Sequence, residues 1–385
     1  MKIVHVIWGL GGGGAERFLT RLVTAPNRRF EHVVVCLTDE GVHGAVVRER
    51  GVRLITLGMK RGVPEVRGFV RLYRVLAAEK PDIVQTWMYH SDLLGFLAGK
   101  LSGAPVIGWN IRCSDMELRN YRRMTVMTRS VVRLISPMVD FAIVNSIAGK
   151  EFHEKAGFRP KRWEVIFNGF DVSEFRPDPA SRAAVRAELG IDEKARIIGM
   201  IARFDPMKDH ATFFQAAAKL AAARVDVHFL LAGIDMTWDH AALARLIGDA
   251  LRPRVHLLGF RSDVQRILPA CDLFTLSSAF GEGFPNVVGE AMSCAVPSVA
   301  TDVGDSAFLI GDTGRVVPPR DPARLVDAWY ELLNLDRESL AALGEGARQR
   351  VQRNFDIHSI AQRYETLYSE LSGAAHRVGE ASHAS

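Results

Sequence analysis

The sequence predicts an α/β protein made of two doubly wound, parallel-sheet domains in tandem, and three observations carry that reading. Short β-branched runs alternate with longer stretches of helical periodicity along nearly the whole chain, which is the pattern of βαβ units. The alternation lapses once, between Asn168 and Ala180, where the chain reads NGFDVSEFRPDPA and carries two prolines. At 385 residues the chain is too long for one core and suits two.

Taken in order, the strand-like runs of the first half are KIVHVI, HVVVCL, VRLITL, DIVQTW, PVIGW, FAIVNS and WEVIF. Those of the second half are RIIGMIA, VHFLLAG, VHLLGF, LFTLSS, PSVAT and GRVVP, separated by segments such as Thr212 to Ala223 that read as amphipathic helices. A last amphipathic helix is expected from about Ile357 to Leu371, followed by a small, polar, frayed end. The expected organisation is therefore a first domain over 1–170, a second over 171–355, a terminal helix over 356–372 and a disordered tail over 373–385. Sheets of this kind bind ligands beyond the carboxyl ends of their strands, so the crevice between the domains is the expected site.

Composition removes several classes. Hydrophobic residues make up 48% and charged residues 24%, close to soluble globular proteins and far from disordered or collagen-like chains. No apolar stretch reaches the roughly 18 residues that a membrane span needs. The apolar start, Ile3 to Leu10, runs into four glycines and Glu16, unlike a signal peptide. Cys36, Cys113, Cys271 and Cys294 are widely spaced, which suggests neither a zinc cluster nor a disulfide framework and fits a reducing, cytoplasmic compartment. The net charge of +5 conceals an asymmetry. Residues 1–175 hold 26 Lys and Arg against 17 Asp and Glu, so an anionic partner is expected on the first half.

Four groups of residues could carry chemistry. Gly9-Leu-Gly11-Gly-Gly-Gly14 follows the first strand and precedes a helix, so its backbone N–H groups could meet an anion, or the loop could be only a tight turn. Its spacing also satisfies G-x-G-x-x-G, with Asp39 where an acidic ribose ligand of a dinucleotide fold would stand. The second group, Ser277 to Met292, follows the strand LFTL. Glu282 stands in its loop, Pro285 at the first turn of a helix that frees the N–H groups of Asn286 and Val287, and Glu290 about five residues in, about 8 Å along the axis. The alternative for Glu290 is a carboxylate held inside the core.

The third group is Arg203-Phe-Asp-Pro-Met-Lys208, directly after the first strand of the second domain. A planar fork and a point charge there would neutralise a diphosphate leaving group. No Asp-x-Asp and no His/Cys cluster offers a metal for that task, so none is expected. The fourth group is His90, in WMYHSD, read as ending the fourth strand of the first domain; a lone histidine is as readily structural. Finally, Arg112, Arg119, Arg122, Arg123, Arg129 and Arg133 recur among apolar residues, the pattern of an anionic membrane surface contact or of a solvated helix face.

Together these strings resemble the retaining glycosyltransferases of GT-B architecture, family 4 or "group 1": the GGGGAE loop, TWMYHSDLLG, VIFNGFD, IARFDPMKD, LLGFRSDV and, most specifically, EGFPNVVGEAMSCAVPSVATDVGD with glutamates eight positions apart in the chain. The resemblance spans nearly the whole sequence. It implies two Rossmann-like domains facing an interdomain cleft, with the nucleotide sugar on the second. Arg203 and Lys208 would hold the diphosphate, Glu290 the ribose, Glu282 the transferred sugar, and the backbone of Phe284, Pro285, Asn286 and Val287 the sugar and phosphate. Gly259, Phe260 and Arg261 would flank the base. Gly14 would approach the phosphate from the first domain and His90 would contact the sugar near its reacting carbon.

The TWMYHSDLLG and NIRCSD strings are most similar to bacterial transferases of lipopolysaccharide, O-antigen and surface polysaccharide biosynthesis. They imply a hexosyl transfer with retention, without metal or other cofactor, to a glycan or polyprenyl-linked glycolipid, by an enzyme peripheral on the cytoplasmic membrane; no nucleic-acid partner is expected. Two departures, the longer glycine run and VIFNGFD in place of VIPNGID, bear on acceptor fit. The competing readings are a sugar-nucleotide epimerase of the same architecture, a NAD-dependent oxidoreductase built on the glycine loop, and a binding protein without turnover.

Overall fold

The computed structural model describes residues 1–25, 29–60, 65–114 and 123–383. It divides into two units, Met1–Gly169 with Ile357–Ser385, and Phe170–Asp356. The first contains a seven-stranded parallel sheet of β1 (Lys2–Ile7), β2 (Glu31–Cys36), β3 (Arg53–Thr56), β4 (Ile83–Trp87), β5 (Val106–Ile111), β6 (Phe141–Val144) and β7 (Trp163–Val165), in the order β3-β2-β1-β4-β5-β6-β7. The second contains β8 (Arg196–Ile201), β9 (Val227–Ala232), β10 (Val255–Leu257), β11 (Leu273–Leu276), β12 (Ser298–Thr301) and β13 (Arg315–Val317), in the order β10-β9-β8-β11-β12-β13. These strands correspond one for one to the runs read from the sequence. Both sheets are Rossmann-like, because the strand order reverses once, between β1 and β4 and again between β8 and β11.

The strands are continuous apolar runs because helices cover both faces of each sheet. In β2 the five residues after Glu31 are all buried, and in β4 all five are. At the reversal in the second sheet, β11 pairs with β8 only at Leu273↔Ile198 and Phe274↔Gly199, whereas β8 pairs with β9 along its whole length. The carboxyl ends of β8 and β11 therefore continue past their shared ladder, and the loops that follow them start from a parted edge. Trp329 fills the interior of this unit and its indole N–H donates to the Thr275 hydroxyl at 2.8 Å, so the ring costs no lost hydrogen bond.

The terminal helix, Ile357–His383, belongs to the first unit. Its Ile357, Ile360, Tyr364, Leu367 and Tyr368 are buried with Ile3, Phe18 and Trp87. Two polar groups of the strands are satisfied by it: the Asn110 side-chain amide donates to the Tyr364 hydroxyl at 3.0 Å, and the Tyr368 hydroxyl donates to Gln85. Helix continues past residue 372, where the sequence reading ends it, through to His383. The stretch beyond Gly373 has no proline, and Ala374, Ala375, Arg377, Glu380 and Ala381 are compatible with helix. No helix among the described residues is long and apolar enough to cross a membrane.

Candidate active site at the strand-order reversal of the second unit

The loop after β8 is folded by its own acids. The Asp205 side chain accepts from the Met207 N–H at 2.9 Å, starting the short 3-10 turn Pro206–Lys208, and Arg203 Nε donates to Asp205 at 2.9 Å. Burial by itself would raise the Asp205 carboxyl, but the Met207 N–H and the Arg203 guanidinium outweigh it and hold it below the usual carboxylate range. Asp209 then caps the helix His210–Ala223 through the Thr212 N–H at 3.1 Å.

The loop after β11 is stitched to this one. Ser277 Oγ donates to the carbonyls of Lys208 and Asp209 at 3.0 and 3.2 Å, and the Ala279 N–H donates to the Met207 carbonyl at 2.8 Å. These bonds bring the charged side chains together. Lys208 Nζ lies 2.5 Å from Glu282 Oε1, and the Ser278 hydroxyl donates to the same oxygen at 2.5 Å. The pair is largely withdrawn from water, with side-chain exposures of 13% and 9%. Behind the loop, Gly304 has φ +61°, and a Cβ there would stand 2.3 Å from the Glu282 carbonyl oxygen, so only glycine allows this close approach. The Asp305 N–H fixes the Gly283 carbonyl at 2.8 Å.

From that loop the chain enters the helix Asn286–Ser293. Pro285 is its N-cap, one position earlier than the first-turn placement expected from the sequence, because its ψ of 109° is still extended. The first-turn N–H groups of this helix, those of Asn286 and Val287 among them, lie at the positive end of its dipole. The Arg348 guanidinium caps the Ser293 carbonyl at the other end. Phe284 is buried against Phe170 and Phe355, ring centroids 6.2 and 5.2 Å away, which anchors the loop; only its backbone can serve a ligand. Glu290 is fully buried one turn along, and its charge contributes to raising the Cys294 thiol above its usual value, burial being the larger cause.

The remaining expected residues lie farther out or in the other unit. Gly259, at φ +64°, turns the chain after β10, two strands from β8; it donates to the Met236 carbonyl and accepts from the Gly233 N–H at 2.9 and 2.8 Å. Phe260 beside it is 59% exposed, and Arg261 is held by both oxygens of Asp263 at 2.7 and 2.5 Å. In the first unit, Gly14 opens the helix Gly14–Thr24 after β1. His90 does not end β4, as the sequence reading has it, but sits in the first turn of the helix Tyr89–Ser102, because Met88 adopts φ +71° and breaks the strand. Its ring lies edge-on to Trp8, centroids 5.5 Å apart, and burial lowers its pKa, favouring the neutral imidazole.

Two residues of the arginine-rich segment are not surface cations. Arg112 turns inward, its guanidinium 4.0 Å from the Phe18 ring centroid and 5.2 Å from that of Trp87, and Arg129 lies over Phe152 and Phe158. Guanidinium planes are weakly hydrated and stack on aromatic rings, so these two cations are spent inside the unit. Arg119, Arg122 and the side chain of Arg123 lie outside the described residues; Arg133 is exposed.

Sequence reasoning gives Ser278 no role. The signal is its place four residues before Glu282 in a loop. Ser278→Ala is expected to lower kcat/KM about tenfold and the thermal midpoint by a few degrees, since it strips a hydrogen bond worth about 1.5 kcal/mol from a buried carboxylate, and Ser278→Thr is expected to recover most of both; steady-state kinetics and calorimetric melting on the two variants check this.

A pH dependence of stability also follows. Burial lowers the pKa of His210, with Lys208 adding to the effect, and burial likewise lowers that of His153, each from 6.5 to about 4. The unfolded chain takes up these protons near 6.5 and the folded one near 4, so stability is full above 6.5 and is lost as pH falls between the two, by roughly 3 kcal/mol per histidine. Asp92, pushed up by burial to about 7, works in the opposite sense over the same window, so the histidine share is read from the variant: the thermal midpoint of His210→Phe should fall less between pH 6.5 and 4 than that of the native chain.

With this geometry in place, the comparisons with known proteins are specific. Residues 12–174 match the family model described as Glycosyltransferase Family 4, and residues 195–335 match Glycosyl transferases group 1. The chain belongs to the family 4, group 1 glycosyltransferases and has their GT-B architecture. It is 24% identical over 387 residues to the UDP-Gal:alpha-D-GlcNAc-diphosphoundecaprenol alpha-1,3-galactosyltransferase of Escherichia coli, covering 96% of this chain and 97% of that protein. It is 30% identical over 262 residues to the N-acetyl-alpha-D-glucosaminyl L-malate synthase of Bacillus anthracis, covering 67% and 64%. Among solved structures, Anabaena HepE in complex with UDP-glucose superposes with a TM-score of 0.82 at 24% identity, covering 96% of this chain and all of that one.

Proposed function

We propose that this protein transfers a hexose from a nucleoside diphosphate sugar, with retention of anomeric configuration and without a metal ion, to a hydroxyl of a glycan or polyprenyl-linked glycolipid in surface polysaccharide or lipopolysaccharide synthesis. One observation carries the reading: Lys208, Glu282 and the start of the Asn286–Ser293 helix converge where the strand order of the second sheet reverses, with Arg203 on the same loop as Lys208. An ammonium group and a helix N-terminus there can neutralise the charge that develops on a departing diphosphate, and stabilising such charge in the transition state is what accelerates a transfer of this kind most. Glu282, held by Lys208 and Ser278, is poised to accept hydrogen bonds from sugar hydroxyls, and Glu290 is assigned to the ribose. A uridine donor is favoured by the UDP-galactose transferase and the UDP-glucose-bound structure among the similar proteins, and a diphosphoundecaprenol acceptor by the first of these.

In this mechanism bond cleavage at the anomeric carbon moves the bonding electron pair onto the leaving phosphate oxygen, where Lys208, Arg203 and the first-turn N–H groups stabilise it. The acceptor hydroxyl attacks the same carbon on the face from which the phosphate leaves, and its proton passes to the departing phosphate oxygen, so that the new C–O bond replaces the broken one with retention. Neutral His90 is assigned to the sugar side of the reaction. The test is calorimetry of UDP, UDP-glucose and UDP-galactose in EDTA, followed by NMR of the product formed on an undecaprenyl-diphosphate sugar. Donor binding in EDTA and an α-configured product support the proposal. A β-configured product refutes retention, donor consumption without acceptor indicates an epimerase, and a response to NADH alone overturns the reading.

A further inference from the structure

The turn that delivers His90 is built against the preference of its own residue. Met88 adopts φ +71° and ψ 151°, a region of the backbone map essentially confined to glycine. A side chain persists there only where the surrounding structure imposes the conformation. The effect shows in the residues on either side. In a continuing strand Trp87 and Tyr89 would point to one face of the sheet, yet Trp87 is buried with Ile3, Ile83 and Phe141 on one face and Tyr89 with Val84, Ile107 and Ala142 on the other. Met88 itself is 41% exposed, so burial of its own side chain does little to offset the strain.

Buried hydrogen bonds just beyond Met88 hold the turn. The Tyr89 hydroxyl lies 2.5 Å from His153 Nε2, and His153 Nδ1 lies 2.6 Å from the Gly149 carbonyl oxygen. A carbonyl can only accept, so Nδ1 carries the proton. Burial lowers the pKa of His153 to about 4 and keeps the ring neutral, so Nε2 accepts from the Tyr89 hydroxyl. The Cys113 thiol donates to that hydroxyl at 3.6 Å, and the Phe158 ring closes the group, its centroid 6.3 Å from that of Tyr89 and 5.0 Å from that of His153. His153 is fully buried on the helix Ile147–Lys155, 64 positions along the chain from Tyr89. On the far side of the turn, Asp92 accepts from the Thr86 hydroxyl at 2.5 Å and its N–H donates to the Met88 carbonyl at 2.9 Å. His90 stands between these anchors, against Trp8.

We propose that Tyr89 and His153 are positioning residues: their hydrogen bond holds Met88 in its strained turn and thereby sets His90 at the carboxyl edge of the first sheet. The proposal deepens the transferase reading and rests on the role assigned there to His90. A core that needed only volume could hold phenylalanine and leucine in these places with no polar group to desolvate. The hydrogen bond adds direction. It fixes the depth and rotation of the Tyr89 ring, where apolar contacts alone would let it slide, and Tyr89 is the residue that joins Met88 to His90. Neither side chain touches the sugar in the proposed mechanism, so both act through the backbone of the turn.

The experiment is a cycle of full-chain variants, Tyr89→Phe, Met88→Gly and the two together, with His90→Ala as reference. Glycine takes the Met88 conformation without strain, so beside it the Tyr89 hydroxyl has nothing left to hold. Histidine is labelled with carbon-13 at Cε1, and the His90 signal is identified by its loss in His90→Ala; it is read without any acceptor. In the native chain His90 should titrate below the ordinary histidine value, because it is part-buried. In Tyr89→Phe its pKa should move up toward that value, and kcat for transfer should fall about tenfold as the ring is misplaced, with the Kd for UDP unchanged. In the Met88→Gly background the same substitution should leave the His90 signal in place and change kcat by no more than about twofold. An equal loss of kcat in both backgrounds, or a His90 signal that does not move in Tyr89→Phe, makes the pair ordinary core and overturns the inference. A fully active His90→Ala is a different failure: it removes His90 from the transferase reading, and the inference falls with it.

Discussion

Lys208→Ala should lower kcat/KM by about a hundred- to a thousandfold, the range seen when a single preorganised donor to a developing oxyanion is removed. The same substitution should also destabilise the protein, because it leaves the Glu282 carboxylate, only 9% exposed, without the ammonium 2.5 Å away. Breaking one side of a buried pair costs about 3 kcal/mol or more. That would lower the midpoint of a unit of this size by roughly 6 to 12 °C. The two effects can be separated. In Lys208→Ala/Glu282→Gln the stranded charge is gone, so the midpoint should recover while activity stays low. Calorimetric melting and initial rates on the single and double variants decide the matter: activity that recovered along with stability would make the pair a structural feature and remove Lys208 from the mechanism.

The second large effect is on donor affinity. Glu290 is fully buried on the fifth position of its helix, and in the proposed site its carboxylate accepts from the two ribose hydroxyls. Hydrogen bonds to a charged group are worth about 1.5 to 3 kcal/mol, so Glu290→Gln should raise the Kd for UDP roughly 10- to 150-fold. The ribose is remote from the reacting carbon and is bound alike in ground and transition states, so KM should rise far more than kcat falls. The glutamine keeps the volume and removes a buried charge, so the midpoint should not fall. Titration calorimetry with UDP gives the answer; an unchanged Kd would make Glu290 a core carboxylate, the alternative left open by its apolar neighbours.

Much of this protein is legible in its sequence. Strands that are buried on both faces have to be apolar throughout, so runs such as HVVVC and IVQTW announce themselves, and glycine and proline mark where the chain turns. The residues of the IARFDPMKD and EGFPNVVGE strings can be assigned to one site because loops at the carboxyl ends of adjacent strands have to meet. Boundaries and orientations are what the pattern gets wrong. His90 reads as a strand end because a sequence pattern cannot reveal that Met88 takes a positive φ, a conformation its side chain disfavours and only the surrounding structure can impose. Arg112 and Arg129 read as surface cations because arginine usually is one, and nothing local signals the rings of Phe18 and Phe152, distant or on another element, that draw them inward.

The sequence by itself determined the two sheets, the number and order of their strands along the chain and the loops that hold the charged residues, since each follows from periodicity and turn chemistry within a few neighbouring residues. Only the tertiary structure decided that Lys208 and Ser278 share one oxygen of Glu282 and that Gly304 presses on that loop. Those facts join residues up to 74 positions apart. Pairings at that range are set by how whole elements pack, and local pattern carries no record of them.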